Sequence, residues 1–69
     1  MISLKEAIKL TKVQDDELCY IRKENASKND TIALTVDEIK AKYDMKNTMV
    51  VGIQPKNFDY YCAIEFEVK

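Results

Sequence analysis

Residues 48–69 read TMVVGIQPKNFDYYCAIEFEVK, and two apolar runs in this segment predict a C-terminal β-hairpin. Apolar and charged residues alternate along Cys62–Val68, which is typical of a strand with one buried face. The first arm is predicted at Thr48–Gln54 and is apolar on both sides. Pro55 and the polar residues after it have turn chemistry, because proline fixes its own φ and Asn and Asp tolerate unusual backbone angles.

The register of this hairpin is predicted from its apolar positions, because a slip of one residue moves every side chain to the opposite face. Placing Ile53 opposite Cys62 leaves Lys56–Asp59 as a four-residue loop, a common hairpin length. One face then carries only apolar residues: Met49, Val51, Ile53, Cys62, Ile64 and Phe66. The other face carries a mixed set: Val50, Gly52, Gln54, Tyr61, Ala63 and Glu65. We expect the first set to be core and the second to be a face that short helices cannot cover.

Length and composition indicate a small single α+β domain, residues 1–69. The hydrophobic fraction is 46% and the charged fraction 33%, which is globular rather than disordered composition. No apolar run reaches membrane-spanning length, and the first residues lack the basic-then-apolar order of a signal peptide. We therefore predict a cytoplasmic protein without membrane association, with Cys19 and Cys62 as buried free thiols. The frequent Lys, Asn and Ile indicate a bacterial or phage origin.

Two segments of the form S/T-x-x-E predict the starts of two helices, because this pattern satisfies free amide groups of the first turn. Ser3–Glu6 opens an amphipathic helix predicted over residues 4–12, and Thr35–Glu38 opens a second one predicted over residues 36–45. In both places the helix is followed by an apolar strand-like run. We interpret this similarity as a feature of the architecture and not as a repeat family.

Leu18–Lys23 is rich in strand-forming residues and is predicted as a strand, with continuation of the first helix as the alternative. A polar loop follows, and Thr31–Leu34 is predicted as a short strand that pairs back on Leu18–Lys23. Without that pairing, Leu18–Lys23 and the first hairpin arm form a β-α-β unit with parallel neighbours. The predicted order is α-β-(short β)-α-β-β, with two amphipathic helices on one face of a three- or four-stranded sheet.

The residue types that most catalytic and metal sites need are scarce in this chain. It has no histidine, which removes the commonest general base and zinc ligand, and its single glycine excludes a glycine-rich phosphate loop. Asp15, Asp16 and Glu17 lack the spacing of a calcium loop and are predicted to form a solvated turn. We therefore predict a protein that is not an enzyme, with no catalytic residues, no metal, no cofactor and no small-molecule substrate.

The first functional hypothesis is a non-enzymatic protein-interaction module, either a homodimer or an accessory subunit of a cytoplasmic assembly. Its binding surface is predicted on the less polar hairpin face, at Val50, Gly52, Tyr61 and Ala63. Gly52 opposite Ala63 would form a shallow spot for a partner. Charges on the last strand would discourage edge-to-edge pairing, so contact is expected through the face of the sheet.

The alternative is a nucleic-acid-binding accessory protein that uses the aromatic and basic end of the hairpin. Its residues would be Lys56, Phe58, Tyr60 and Tyr61, supplemented by Arg22, Lys23 and Lys28 if the fold brings them near. The net charge is −1 and is evenly spread, so the basic surface typical of nucleic-acid binders is missing and this alternative is not favoured. An enzyme with a low-pKa cysteine ranks third.

Overall fold

Two helices and a five-stranded mixed sheet form the structure, a computed structural model that describes the backbone of residues 1–69 and every side chain except that of Lys28. In chain order the elements are β1 (Ile2–Ser3), α1 (Leu4–Thr11), β2 (Leu18–Lys23), β3 (Ile32–Thr35), α2 (Val36–Lys42), β4 (Met49–Asn57) and β5 (Cys62–Val68). A short 3₁₀ turn, Lys28–Asp30, connects β2 to β3. Within the described residues, neither helix is long and apolar enough to cross a membrane.

The strand order β1-β4-β5-β2-β3 places the C-terminal hairpin in the middle of the sheet. Antiparallel pairs join β1 to β4, β4 to β5 and β2 to β3, whereas β2 and β5 run parallel. The N-terminal half of the chain therefore supplies both edges of the sheet, and the hairpin fills the space between β1 and β2.

The α+β class, the two helices, and the strands at 18–23 and near 31–34 are confirmed. The predicted sheet of three or four strands is wrong, because β1 adds a fifth strand that is too short to show a periodic pattern. The β-α-β alternative with Leu18–Lys23 beside the first hairpin arm is also wrong. The neighbours of β2 are β3 and β5.

Both helices begin directly at the end of a strand, where the last strand residue is also the helix cap. The Ser3 hydroxyl accepts a hydrogen bond from the Glu6 amide at 3.2 Å. At the second helix the Thr35 hydroxyl accepts from the Glu38 amide at 3.2 Å, and the Glu38 carboxylate accepts from the Thr35 amide at 2.9 Å. The predicted capping box is therefore complete at Thr35, and only its hydroxyl half is present at Ser3.

Each helix also starts against the turn that follows the other helix. The first two amide groups of α1 donate to carbonyl groups of the turn after α2, at 2.8 and 3.0 Å. The first two amide groups of α2 donate to carbonyl groups of the turn after α1, at 3.3 and 3.1 Å. The donor–acceptor pairs are Leu4–Thr48, Lys5–Met45, Val36–Glu17 and Asp37–Asp15. These bonds satisfy amide groups that have no partner inside a helix.

The second helix ends at Lys42, earlier than the predicted end near residue 45. Tyr43 has an extended backbone, with φ −113° and ψ 151°. The Asp44 carboxylate then accepts hydrogen bonds from the amide groups of Lys46 and Asn47, at 3.2 and 3.3 Å. These bonds close a turn that replaces the last predicted helical residues, because Asp side chains compete for backbone amides.

Acidification is expected to destabilise the fold through Glu38. Hydrogen bonds from the Thr35 backbone amide and then from its side chain hold the pKa of the Glu38 carboxyl below its usual range. A carboxyl group with a lower pKa in the folded state stabilises the fold above its unfolded pKa, near 4.3. That contribution is lost as the pH falls through the folded pKa. Between about pH 7 and pH 3, the urea midpoint should therefore fall less in Glu38→Gln than in the natural sequence.

Glu6→Gln is the matched control for this experiment, because only the hydroxyl half of the box is formed at Ser3. Its urea midpoint should follow the natural sequence across the same pH range. An equal decline in Glu38→Gln and in the natural sequence would show that this capping carboxylate does not govern acid stability.

The hairpin register differs from the predicted one by four residues. Ile53 lies opposite Phe66 and not opposite Cys62, β4 continues to Asn57, and the loop is residues 58–61. Pro55 does not end the strand, because β1 pairs only with residues 49 and 50 and leaves this part of β4 as an edge. A proline without an N–H group is tolerated at such an edge.

The hydrophobic core lies between the helices and one face of the sheet. Its buried members are Leu4, Ala7, Ile8, Cys19, Ile21, Val36, Ile39, Val50, Phe66 and Val68. Val50 was predicted on the outer face and is buried, whereas Val51, Ile53 and Cys62 were predicted in the core and are exposed. A bulge between Val50 and Gly52 explains why Val50 is buried, since the inserted residue changes which side chains of β4 point inward.

Candidate functional site

The sheet face opposite the helices, here called the outer face, gathers polar side chains from three central strands. Cys19 and Ile21 point into the core, so alternation places Tyr20 and Arg22 on the outer face. The parallel pairing of β2 with β5 sets Tyr20 beside Glu65. Gln54 and Lys56 approach the same position from β4.

Glu65 is the centre of this face and is only 7% exposed. The Gln54 side-chain amide donates a hydrogen bond to its carboxylate at 2.8 Å, and the Thr31 hydroxyl lies at 3.4 Å. The Lys56 ammonium group lies 3.6 Å from the carboxylate and the Arg22 guanidinium Nε lies 3.7 Å from it. Glu65 is therefore a buried charge with two cationic neighbours, as buried carboxylates require.

Arg22 links this carboxylate to the next one along β5. Its guanidinium donates to the Ala26 carbonyl at 3.1 Å and lies 3.3 Å from the Glu67 carboxylate. Its Nε is buried and has no hydrogen-bond acceptor among the described residues. The Arg22 side chain lines a cavity of about 160 Å³ together with Gln54, Pro55, Lys56 and Glu65. Two cations and two carboxylates balance here, so the network presents little net charge to a phosphate group.

Three aromatic rings, Tyr20, Phe58 and Tyr61, form a cluster beside this network. Phe58 stacks on Tyr61 with ring centroids 4.6 Å apart and planes 17° apart, and it lies 5.5 Å from the Tyr20 ring. The Tyr20 and Tyr61 hydroxyl groups are 3.2 Å apart, and this hydrogen bond raises the pKa of Tyr20. The Lys56 ammonium group lies 5.1 Å from the Tyr20 ring centroid, within cation–π range. The cluster therefore holds the hairpin loop against the outer face.

The hairpin tip, defined as residues 58–61, presents aromatic surface to solvent. Tyr60 is 97% exposed and Tyr61 is 51% exposed. A backbone hydrogen bond of 2.8 Å from the Phe58 amide to the Tyr61 carbonyl closes the tip. The Tyr60 ring therefore does not pack against the core.

The structure brings together three of the four residues of the predicted aromatic–basic cluster, Lys56, Phe58 and Tyr61, and leaves Tyr60 projecting beside them. Arg22 also reaches this face. Lys23 lies beside a different cavity of about 370 Å³ on the helix side of the sheet. The side chain of Lys28 lies outside the described residues.

The other predicted surface is only partly on the outer face. Val50 belongs to the core, as described above. Gly52 lies opposite Glu67, and a Cβ atom added at Gly52 would be 3.1 Å from the Glu67 carboxylate. Ala63 lies opposite Lys56. The predicted shallow spot between Gly52 and Ala63 is therefore wrong, because the register shift places a glutamate over the glycine.

The last strand was predicted to be a charged edge, and this is also wrong. β5 lies between β4 and β2, so its Glu65 and Glu67 pair with cations across the sheet and protect no edge. Tyr20 was not recognised as a neighbour of the hairpin tip. The alternation along β2 indicates only that Tyr20 and Cys19 point to opposite faces of the sheet. The pairing of β2 with β5 is needed to place Tyr20 near the tip.

The two cysteines have different environments. Cys19 is buried as predicted, and burial, with a smaller effect of Glu17, raises the pKa of its thiol to about 11. Cys62 is exposed, contrary to the prediction, and its thiol donates to the Asn57 side-chain carbonyl.

Among the side chains that the structure describes, no group of three or more Cys, Asp or Glu is close enough to hold a metal ion.

Comparison with models of protein families, with curated proteins and with solved structures found no match. The functional inference therefore depends on the chemistry of the outer face and the hairpin tip.

Proposed function

We propose that the protein is a small non-enzymatic interaction module that binds another protein through its hairpin tip. The supporting observation is the exposed aromatic surface of Tyr60 and Tyr61 on a face with balanced charge. Tyrosine is enriched at protein interfaces because its ring supplies apolar contact area and its hydroxyl supplies a hydrogen bond. Charged residues are depleted at the centre of such interfaces, and three of the four residues of the tip are aromatic, the fourth being Asp59.

One of the two exposed tyrosines of the tip, Tyr61, is held by neighbouring side chains, which supports this role. Tyr61 is held by the Phe58 ring and by the Tyr20 hydroxyl, and Tyr20 is held in turn by Lys56. Association pays for each flexible side chain that it immobilises, so a rigid aromatic anchor loses less free energy on binding.

The chemistry of the reactive groups supports a role without catalysis. The Cys19 thiol is buried and its pKa is raised, which makes it a poor nucleophile at neutral pH. The outer-face carboxylates are engaged by Arg22 and Lys56. The two free thiols also fit the cytoplasm, where disulfides are rare.

Substitution of Tyr60 by serine is expected to remove the partner without harming the fold, because the Tyr60 ring is almost fully exposed. The tagged protein would be used as bait in extract from its native cells, and captured proteins would be quantified by mass spectrometry. At least one protein should be retained by the natural sequence and reduced about tenfold by Tyr60→Ser, as for a tyrosine hot spot. Leu10→Ser is the control, since Leu10 is an exposed apolar residue of α1 outside the tip. Equal capture by all three baits would refute the proposal.

Single-stranded nucleic acid is the second candidate ligand. It is favoured by the position of Lys56 over the Tyr20 ring, which packs on the Phe58–Tyr61 stack, since bases stack on aromatic rings next to cations. Fluorescence anisotropy with a labelled single-stranded oligonucleotide at low salt tests it with the same variants. Binding that weakens steeply with salt and with Tyr60→Ser would favour this candidate over a protein partner. An unchanged anisotropy at low salt would remove it.

A further inference from the structure

The edge strand β3 is a second surface, separate from the hairpin tip. It pairs with β2 on one side, and no described strand adjoins its other side. Natural sheets protect such edges with charges, proline, bulges or very short strands. The opposite edge consists of β1, which has only two residues, and of the part of β4 beyond it, which carries Pro55 and Lys56. The strand β3 has four residues, Ile32–Thr35, with no charge or proline and a regular register.

The backbone groups of Ala33 point out of the sheet at this edge. The Val36 amide donates to the Glu17 carbonyl, which continues the β2–β3 ladder beyond the end of β3. In an antiparallel ladder, residues that bond to the neighbour alternate with residues that do not. Leu34 and Ile32 therefore bond to β2, and Ala33 directs its N–H and C=O groups away from it. The Thr35 amide also points outward, but the Glu38 carboxylate accepts its hydrogen bond.

We propose that a second copy of this chain pairs antiparallel with β3, with Ala33 opposite Ala33 of the second copy. The two alanines then exchange both backbone hydrogen bonds, as opposed residues do in such a pair. The two five-stranded sheets become continuous across a twofold axis, which is the usual symmetry of a homodimer. Contact between the copies is through the edge, whereas the sequence predicts contact through the face.

The residue pairs in this register argue for a second copy as the occupant. On the outer face Ala33 meets Ala33, and Thr31 meets Thr35. On the inner face Ile32, which is 42% exposed in the monomer, meets Leu34. Cross-strand apolar pairs and threonine pairs stabilise a sheet, and no like charges oppose each other.

Neighbouring registers that keep the same faces are less favourable. A shift by two residues in one direction places Asp30 opposite Leu34, which sets a carboxylate against an apolar side chain. A shift in the other direction places Ile32 opposite Val36, which is already the first residue of α2. Over a ladder of five residue pairs, the Ala33 register spans residues 31–35 and is therefore the one that admits neither a charge nor a helical residue.

Sedimentation equilibrium from about 10 µM to about 1 mM, a range suited to weak association, tests this proposal. The natural sequence should convert from monomer to dimer. A chemically synthesised chain with an N-methyl group on Ala33 should bind at least about tenfold more weakly, because two symmetry-related hydrogen bonds are lost with no change of side chain. A natural sequence that stays monomeric over this range, or an N-methylated chain that dimerises like it, would overturn the proposal.

A genetically encoded variant gives the same test with a matched control. Ala33→Lys places two like charges together at the dimer axis and should weaken the dimer, whereas Ala41→Lys makes the same change at an exposed alanine of α2 and should not. The circular dichroism spectrum shows whether each variant is folded. Tyr60→Ser should dimerise like the natural sequence. A failure of dimerisation through β3 can therefore be told apart from a failure of partner binding at the hairpin tip.

Amide hydrogen exchange identifies the surface that pairs. The Ala33 amide should become protected as the protein concentration rises through the dimerisation range, while the Leu34 amide, already bonded to β2, should not change. A dimer that leaves the Ala33 amide unprotected would place the interface elsewhere and refute this inference.

Discussion

Truncation of Phe66 to alanine is expected to remove a large part of the free energy of unfolding at 25 °C. Phe66 is 0% exposed and belongs to β5, the strand in the middle of the sheet. It lies opposite Ile53 on one neighbouring strand and beside Ile21 on the other. Removal of a buried phenylalanine ring costs about 3–5 kcal/mol, because the cavity closes only in part. The free energy of unfolding of a chain of this length is about 3–10 kcal/mol, so the loss is at least about a third of the whole.

Far-UV circular dichroism and urea unfolding measure this loss, and the chain contains its own control. Phe58, the other phenylalanine, lies at the hairpin tip and is partly exposed. Phe58→Ala should lower the free energy of unfolding by about 1–2 kcal/mol, because two ring contacts are lost but no cavity forms in the core. Equal losses for the two substitutions would contradict the assignment of Phe66 to the core and Phe58 to the surface.

Removal of the Glu65 carboxylate is expected to destabilise the fold by about 3 kcal/mol, although Glu65 lies on a face with no helix over it. In Glu65→Ala the Arg22 guanidinium stays largely buried and loses one of its two carboxylate neighbours. The Gln54 side chain also loses its acceptor. An uncompensated buried charge costs more free energy than the intact ion pair contributes, so the effect exceeds that of a surface salt bridge.

Two further variants show whether the effect is electrostatic. Glu67→Ala removes the more exposed carboxylate of the same strand and should cost less than Glu65→Ala, because Glu67 has one cationic neighbour whereas Glu65 has two. Arg22→Leu combined with Glu65→Ala should be more stable than the sum of the single changes implies, because the buried guanidinium is removed together with the carboxylate that it faces. Additive losses from urea unfolding would show that Arg22 and Glu65 are not coupled.

Local signals in the sequence were sufficient for most of the elements of this fold. The capping pattern at Thr35–Glu38 and the alternation along 62–68 each depend on residues close together in the chain. The hairpin register was not predictable in this way, since Pro55 has strong turn chemistry and its acceptance in β4 depends on where β1 ends. The bulge at Val51 left no sequence signal among uniformly apolar neighbours.

Only the part of the candidate site that lies within one short segment was predictable from the sequence. Lys56, Phe58 and Tyr61 are close in sequence, and the structure gathers them around Tyr20. Tyr20 and Arg22 reach them only because β2 runs parallel to β5, a pairing between distant segments that no local pattern reports. The burial of Glu65 follows from that pairing, so a residue that appears in sequence as a surface charge is the centre of a network.

The central position of β5 has a consequence for synthesis of the chain on the ribosome. Residues 1–61 emerge from the ribosome before β5, the strand that joins β4 to β2. The β1–β4 pair and the β2–β3 pair therefore cannot form one sheet until residues 62–68 have emerged. Neither helix has a complete core to cover during that interval, and the pairings still to form are distant in sequence and therefore slow. Nascent chains should remain open to proteases until β5 leaves the exit tunnel, and the domain should then fold in a single cooperative step.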